Sequence, residues 1–317
     1  MEDKGLPQPR PVAVVGAGLT GASWAGLFAA HGLETRIYDR DAAAGEAACA
    51  RAVQAAVFLV ERGLADPDEV EAGCAGLRAV CDPAEAFAGV CHVQECVTED
   101  LSVKKAVFRT MTGLAPGDTL FATSSSGLSI TDIQAGLEAA DRCLAAHPYN
   151  PPHLVPLVEV VGGPSTSAST IERAVAFYRS VGKEPVVVHR DVPGYICNRL
   201  SAALWREAVE LVRSGVASVA EVDAAVTEGP GLRWAVMGPH LLYHLGGGPG
   251  GIRGHLQHLT HVKEGMLRDL ATWTTFPEDT ADLLEAGLAD ETRGRGLAEL
   301  ALARDEALAA ILKARRI

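Results

Sequence analysis

The run Val12-Ala-Val-Val-Gly16-Ala-Gly18-Leu-Thr-Gly21 constrains the fold of this chain more than any other stretch. Four apolar residues of strand character lead straight into Gly-x-Gly-x-x-Gly, the glycines open a helical pattern reaching Phe28, and Asp39 closes the next apolar run. A strand, a tight turn and a helix in that order, with an acid ending the second strand, form a βαβ unit suited to a dinucleotide. Gly16 permits the turn, Gly18 lets the backbone approach the pyrophosphate, and Gly21 lets the helix pack on the strand. Leu19, Thr20 and Gly21 carry the first free N–H groups of the helix, at the positive end of its dipole, where a pyrophosphate binds. Asp39 is placed to accept hydrogen bonds from the adenosine ribose hydroxyls and to repel a 2′-phosphate, so NAD is expected over NADP. Arg40 pulls the other way, because an arginine at this spot can hold the extra phosphate.

From Val12 to about His189, short β-branched runs alternate with longer helical stretches, which predicts an α/β fold with parallel strands and helical crossovers. Strands are expected near 12–15, 35–39, 77–80, 91–97, 119–123, 143–146, 156–161 and 185–189, with helices between them that include 19–31, 43–62 and 101–112. Thr131-Asp-Ile-Gln134 reads as a capping box opening a further helix. After Asp191-Val-Pro-Gly194 the strand-like runs stop and long Ala/Leu/Val/Glu stretches take over. The expected organisation is therefore a Rossmann-like dinucleotide-binding domain over 1–190 and an all-α domain over 191–317. In the latter, 200–213 reads as a helix, Ser218-Val-Ala-Glu221 as a capping box, Gly246 to Gly251 as a helix break and 297–313 as a final helix. The loop at 272–282, with Trp273 and Phe276, is expected near a partner subunit.

A chain of 317 residues with 48% hydrophobic content can build real cores, and its net charge of −12 argues against nucleic acid and anionic membrane surfaces as partners. No run of about 18 apolar residues predicts a membrane span. The first ten residues are polar and proline-containing rather than a signal peptide, so a cytoplasmic protein is expected. The seven cysteines are scattered without a C-x-x-C pair, which predicts reduced, mostly buried thiols and no zinc site.

Chemistry gathers in Phe121-Ala-Thr-Ser124-Ser125-Ser126-Gly, His147-Pro-Tyr-Asn150-Pro-Pro and Pro156-Leu-Val-Glu159-Val-Val, all at strand ends in the half of the sheet that faces the nicotinamide. Oxidising a secondary alcohol by hydride transfer needs a base for the hydroxyl proton, and His147 is the candidate. Glu159 lies in an apolar strand, where an acid is costly unless paired; His147 supplies the partner, and Glu159 would fix its tautomer. Ser126 and Asn198, the latter in Pro193-Gly-Tyr-Ile-Cys-Asn198-Arg-Leu, are candidates to hold the reacting oxygen. Asn150 and Arg233 are further candidate substrate contacts, Arg233 because a guanidinium can clamp a carboxylate. A lone loop histidine or a Ser-Ser-Ser turn is more often structural, and an inter-element salt bridge is the alternative role for Arg233.

Together these residues resemble the 3-hydroxyacyl-CoA dehydrogenase superfamily over nearly the whole chain. The resemblance rests on Gly16 to Asp39, Gln94-Glu-Cys-Val97-Thr-Glu99-Asp-Leu-Ser-Val-Lys104, Ser124 to Gly127, His147 with Glu159, Pro193 to Leu200, and Met237-Gly-Pro239. It implies that His147 is the base, Glu159 its partner, and Ser126 and Asn198 the orienting residues. It also implies that Val97, Glu99, Lys104 and Ser124 surround the nicotinamide half of NAD, and that the protein is a homodimer through its helical domain. Within the superfamily, Ser23 to Phe28, His92 to Val97 and His147 to Pro152 are similar to the lambda-crystallin and L-gulonate 3-dehydrogenase branch, and Gly231 to Pro239 to L-carnitine dehydrogenases. Both groups act on a hydroxyl β to a free carboxylate. Thioester-using members carry a lysine-rich segment after the second strand, whereas Asp41 to Glu61 has one basic residue, Arg51, against Asp41, Glu46 and Glu61. A small 3-hydroxy acid is thus the expected substrate, with a 3-hydroxyacyl-CoA or carrier-protein thioester as the alternative. A non-catalytic, NAD-binding structural protein would be expected to have lost one of Ser126, His147, Glu159 or Asn198, and all four are present.

Overall fold

The computed structural model describes residues 10–315; apart from Arg10, the polar N-terminal segment lies outside the described residues. The chain divides into two compact units, one ending at Arg199 and the other starting at Leu200.

The first unit is built on eight strands: β1 (Val12–Val15), β2 (Thr35–Tyr38), β3 (Arg78–Val80), β4 (His92–Glu95), β5 (Leu120–Thr123), β6 (Cys143–Pro148), β7 (Leu157–Gly162) and β8 (Glu184–Val188). Its helices are α1 (Leu19–Ala30), α2 (Ala42–Glu61), α3 (Pro67–Ala75), α4 (Pro83–Phe87), α5 (Leu101–Leu114), α6 (Ile130–Gln134) and α7 (Ala168–Ser180). The sheet order is β3-β2-β1-β4-β5-β6-β7-β8. Strand order reverses at β1, whose neighbours are β2 and β4, so the crevice beyond the carboxyl ends of β1 and β4 is where a doubly wound sheet takes its ligand.

Each expected strand is present, but the sheet is not uniformly parallel. β7 pairs antiparallel with β6, and β8 follows β7. Only residues 149–156 join β6 to β7, fewer than the dozen or so that a parallel crossover needs. This reversal matters for the site, because it places His147 directly opposite Glu159.

Two apolar clusters flank the sheet, one holding Trp24, Phe28 and Tyr178 and the other Phe87, Phe108 and Phe121. α1 is apolar on nearly every face and buried from Gly21 to Ala30, as a helix between a sheet and a second helix must be. α2 is, among the described residues, the one helix long and apolar enough to cross a membrane by composition. Its Ala48 and Ala52 are instead packed in the same cluster as Trp24 and Phe28.

Two local expectations need correction. The cap of α6 is Ser129, whose hydroxyl accepts from the Thr131 N–H at 3.0 Å, so the helix starts before the expected box and Gln134 is its last residue. The Thr131 hydroxyl instead donates to Asp191 at 2.9 Å. All seven cysteines are free, but only Cys143 is fully buried; Cys81 is exposed and the others are half-buried, because they lie at strand ends and helix flanks.

The second unit is helical. α8 (Cys197–Arg213) leads into it, followed by α9 (Val219–Val226), α10 (Leu232–Trp234), α11 (Pro239–Leu245), α12 (Gly251–Asp269), α13 (Thr280–Thr292) and α14 (Leu297–Arg315). Ser218 and Glu221 form the expected reciprocal capping box of α9. The glycine run from Gly246 separates α11 from α12. The loop carrying Trp273 and Phe276 ends where α13 begins at Thr280, and it is tied to α8: the Trp273 indole donates to Glu210 at 3.1 Å and Phe276 lies against Trp205.

Candidate active site

The crevice has the features a dinucleotide needs. Gly16 has φ +104°, and a methyl there would lie 2.8 Å from the Cys96 carbonyl oxygen, so the loops after β1 and β4 can approach this closely only with glycine. A methyl on Gly21 would sit 2.0 Å from the Gly16 carbonyl oxygen, which fixes that position by packing. At Gly18 a methyl would meet nothing within 4 Å, so this backbone is open to a ligand. The N-terminus of α1 has no side-chain cap, and Leu19 in its first turn is 81% exposed, with Thr20 half-buried beside it. These groups border a cavity of about 590 Å³ lined by Gly16, Gly18, Asp39, Arg40 and Val97, with Phe87, Val103 and Val107 as an apolar wall. A helix N-terminus next to a flat apolar slot fits a pyrophosphate and an adenine.

Asp39 is fixed by the backbone: Oδ2 accepts from the Ala17 N–H at 2.9 Å and Oδ1 from the Asp41 N–H at 3.0 Å. Each oxygen keeps a second lone pair. Arg40 is exposed at the cavity rim. Sequence reasoning missed Arg51, whose guanidinium donates to the Ala17 carbonyl at 2.8 Å and braces the glycine loop from α2.

The turn after β4 is held by a buried ion pair. The Lys104 ammonium, 1% exposed, donates to Glu95 at 2.8 Å and to the Val97 carbonyl at 3.2 Å, with Glu99 at 3.4 Å. Glu95 also accepts from the Val97 N–H at 2.6 Å and the Thr123 hydroxyl at 2.5 Å. Glu99 caps the serine turn by accepting from the Ser125 hydroxyl and from the N–H groups of Gly127 at 3.0 Å and Leu128 at 3.1 Å. Burial works against its charge, but the Ser125 hydroxyl, Lys104 and those amides outweigh it and hold the carboxyl below its ordinary value. Ser124 accepts from Gln94 at 2.8 Å, and the Cys96 thiol lies 3.1 Å away. Lys104 thus bridges the buried Glu95 and the exposed Glu99 at the turn after β4, and Glu95, which no motif reading singled out, holds both the Lys104 ammonium and the Val97 N–H.

His147 and Glu159 form the most sharply defined pair. Their strands are in register, and His147 Nδ1 lies 2.8 Å from Glu159 Oε2. A carboxylate can only accept, so the hydrogen sits on Nδ1 and the neutral ring keeps its lone pair on Nε2, which makes no hydrogen bond among the described residues. The other carboxylate oxygen, Oε1, accepts from the N–H groups of Ile196 at 2.8 Å and Cys197 at 3.0 Å, at the start of α8. Burial of Glu159, 1% exposed, disfavours its charge, yet the bonds from His147, Cys197 and Ile196 prevail and hold the carboxyl below the usual carboxylate range.

Ser126 and Asn198 are brought to the same region by one segment. The Gly194 N–H donates to the Ser126 carbonyl at 3.2 Å, and Asn198 lies in the first turn of α8, next to the Cys197 amide that holds Glu159. Both side chains are half-buried, and neither makes a side-chain hydrogen bond among the described residues. Asn150 is exposed beyond the end of β6. Arg233 is exposed on the short helix α10 of the second unit.

Comparison with known proteins gives this geometry a family. Residues 11–192 match the NAD binding domain of 3-hydroxyacyl-CoA dehydrogenase, and residues 194–292 match its C-terminal domain. An L-carnitine dehydrogenase of Streptomyces griseus is 40% identical over 314 residues, covering 96% of this chain and 90% of that protein. A 3-hydroxyacyl-CoA dehydrogenase of Gibberella moniliformis is 41% identical over 254 residues, covering 80% of this chain and 77% of its own length. Among solved structures, the 5-formyl-3-hydroxy-2-methylpyridine 4-carboxylic acid 5-dehydrogenase, an NAD+ dependent dismutase, superposes with a TM-score of 0.82 at 32% identity, covering 98% of this chain and 99% of that one. With both domains present and in the family's order, the chain belongs to the 3-hydroxyacyl-CoA dehydrogenase family and is an NAD-dependent oxidoreductase acting on CH–OH.

Proposed function

We propose that this enzyme oxidises the L-3-hydroxyl of a small free 3-hydroxy acid, gulonate-like or carnitine-like, to the 3-keto acid. The observation that carries the reading is the in-register His147–Glu159 pair, which keeps a basic nitrogen available on a ring locked in one tautomer. NAD supplies the hydride acceptor, so the electron pair of the C3–H bond leaves with the hydride while the hydroxyl oxygen forms the carbonyl. The hydroxyl proton passes to Nε2 of His147, and the Glu159 carboxylate stabilises the imidazolium that results. Ser126 and Asn198 hold the reacting oxygen, and Asn150 and the exposed Arg233 are the further substrate contacts, Arg233 for the carboxylate. The two NAD halves are divided between Gly16 to Gly21 with Asp39, and the Val97, Glu99, Lys104 and Ser124 region. Asp39, with a free lone pair on each oxygen, favours NAD over NADP.

A free acid is supported by the likeness to an L-carnitine dehydrogenase and to a dehydrogenase of a pyridine carboxylic acid. It is also supported by the stretch from Asp41 to Glu61, where Asp41, Glu46 and Glu61 outnumber Arg51 and offer a CoA phosphate tail little. A thioester substrate is the second reading, favoured by the likeness to the Gibberella moniliformis enzyme. The helical unit exposes Leu200, Trp205, Leu241 and Leu267, consistent with a homodimer through that unit. Seven free thiols suit the reducing cytoplasm.

The test is NADH formation with L-carnitine, L-gulonate and L-3-hydroxybutyrate against 3-hydroxybutyryl-CoA, for the wild type and His147→Gln. The variant is expected to lose about 10³-fold or more in kcat with NADH affinity nearly unchanged. Retained turnover would remove His147 as the base, and a strong preference for the thioester would replace the free acid as substrate.

A further inference from the structure

The segment Val192–Asn198 touches every member of the proposed catalytic group, and Tyr195 stands at its centre. Val192 to Tyr195 forms a type II turn, closed by the Tyr195 N–H donating to the Val192 carbonyl at 3.1 Å, with Pro193 and Gly194 (φ +75°) at its two central positions. The chain does not then return to ordinary extended backbone. Tyr195 has φ +46°, and only it and Arg293 among the described non-glycine residues have positive φ. A bulky aromatic residue in the left-handed region is a genuine outlier, and such strain concentrates where geometry serves function.

The kink has a visible consequence. It turns two successive N–H groups, Ile196 and Cys197, onto one oxygen of Glu159. The side chain acts from the other direction: the Tyr195 ring lies 5.7 Å from the His147 ring, tilted by 54°, and is itself 2% exposed in the cluster with Phe121, Ile130 and Val161. Backbone and ring of one residue therefore bear on both halves of the same pair. The hydroxyl takes no part, since it is buried without a hydrogen-bond partner among the described residues.

We propose that Tyr195 is a positioning residue of the His147–Glu159 pair: its ring holds the imidazole against Glu159, and its left-handed backbone aims the Ile196 and Cys197 amides at the carboxylate. This rests on the reading of His147 as the base. The pair is thus clamped by a rigid core side chain and two main-chain donors rather than by other polar side chains, so its tautomer is set before substrate arrives.

The proposal is tested with Tyr195→Leu and Tyr195→Met, which remove the ring, and Tyr195→Phe, which keeps it. In wild type, ¹⁵N NMR of labelled histidine, with the His147 signal identified by its loss in His147→Gln, should show an Nδ1-protonated ring. Tyr195→Leu and Tyr195→Met are expected to mix in the Nε2-protonated form to a third or more. With L-carnitine and NAD they should lose about 20-fold to 100-fold in kcat, with NADH affinity within twofold of wild type. Tyr195→Phe should restore both the tautomer and kcat to within twofold. An unchanged tautomer in both ring-less variants overturns the proposal, and so does a tenfold loss in Tyr195→Phe, which would assign the role to the hydroxyl. Should one ring-less variant fail to fold, the other, which fills the site differently, gives the answer. The tautomer needs no turnover, so failure of His147 as base, seen as an active His147→Gln, is a separate result.

Discussion

Replacing Glu159 by glutamine changes one heavy atom and should invert the chemistry of His147. The two carboxylate oxygens are not equivalent: Oε1 receives the Ile196 and Cys197 N–H groups at 2.8 and 3.0 Å, and Oε2 receives His147 Nδ1 at 2.8 Å. Main-chain N–H groups cannot become acceptors, so the amide oxygen of Gln must take the Oε1 place and its NH₂ must face the imidazole. That NH₂ can only donate, so Nδ1 must become the acceptor and the ring hydrogen moves to Nε2. The proposed base then carries a proton where it should carry a lone pair. The comparable tautomer inversion in serine proteases costs about 10⁴ in kcat, so a loss of about 10³-fold to 10⁴-fold is expected, or roughly 4–5.5 kcal/mol of barrier. Stability should fall as well. Three bonds to a charged acceptor become two to a neutral one and one reversed, at about 1 kcal/mol per bond, or about 2–3 kcal/mol in total. Because the folded Glu159 carboxyl is held below its ordinary value, this stabilisation is complete above the unfolded value and disappears as pH falls through the folded one. The deficit of the variant should therefore narrow on acidification below about pH 4. The assays are NADH absorbance for kcat and urea unfolding at pH 7 and at about pH 3. A Glu159→Gln enzyme turning over within tenfold of wild type would refute the tautomer argument.

Three further outcomes are expected. Gly21→Ala, whose methyl would meet the Gly16 carbonyl oxygen at 2.0 Å, should lower the melting temperature and weaken NADH binding; Gly18→Ala, whose methyl meets nothing within 4 Å, should fold normally yet weaken NADH by about 10-fold or more. Equal NADH affinity in Gly18→Ala and wild type, read by fluorescence titration, would displace the pyrophosphate from this loop. Asp39→Ala should cut the NAD-over-NADP ratio of kcat/KM by about 100-fold, and an unchanged ratio would assign the discrimination elsewhere. Lys183 is buried with its ammonium on the carbonyls of Pro152 at 2.7 Å and Val155 at 2.6 Å, and burial pushes its pKa down to about 7. Above that pH the unfolded chain binds a proton that the folded one does not, so this group should raise unfolding free energy by up to about 1.4 kcal/mol per pH unit between pH 7 and 10. Urea unfolding across that range should show the slope in wild type and not in Lys183→Met.

Much of this was legible in the chain itself, for local reasons. Val12–Val15, Leu120–Thr123 and Leu157–Gly162 are short β-branched or apolar runs bounded by turn residues, so their strands fall where pattern places them. Gly16 to Asp39 is readable because each residue acts on neighbours in the same βαβ unit. Glu159 was conspicuous as an acid in a buried run, and its need for a partner pointed to His147. Where the reading was incomplete, the missing partner was distant. Thr131 bonds to Asp191 rather than capping its own helix, Arg51 reaches the Ala17 carbonyl from α2, and Glu99 serves a turn 26–29 residues away.

The sequence by itself determined that a dinucleotide fold would form, that a helical unit would follow it, and which family's chemistry the chain carries. Periodicity and glycine spacing are local and survive in one dimension. Tertiary structure alone decided the direction of β7, and with it the facing of His147 and Glu159. It alone decided that Oε1 is filled by main-chain N–H groups and that Tyr195 is bent into the left-handed region beside the imidazole. Those facts depend on which segments meet across the sheet, and a buried charge is satisfied by whatever donor the packing brings to it, not by one its own neighbourhood announces.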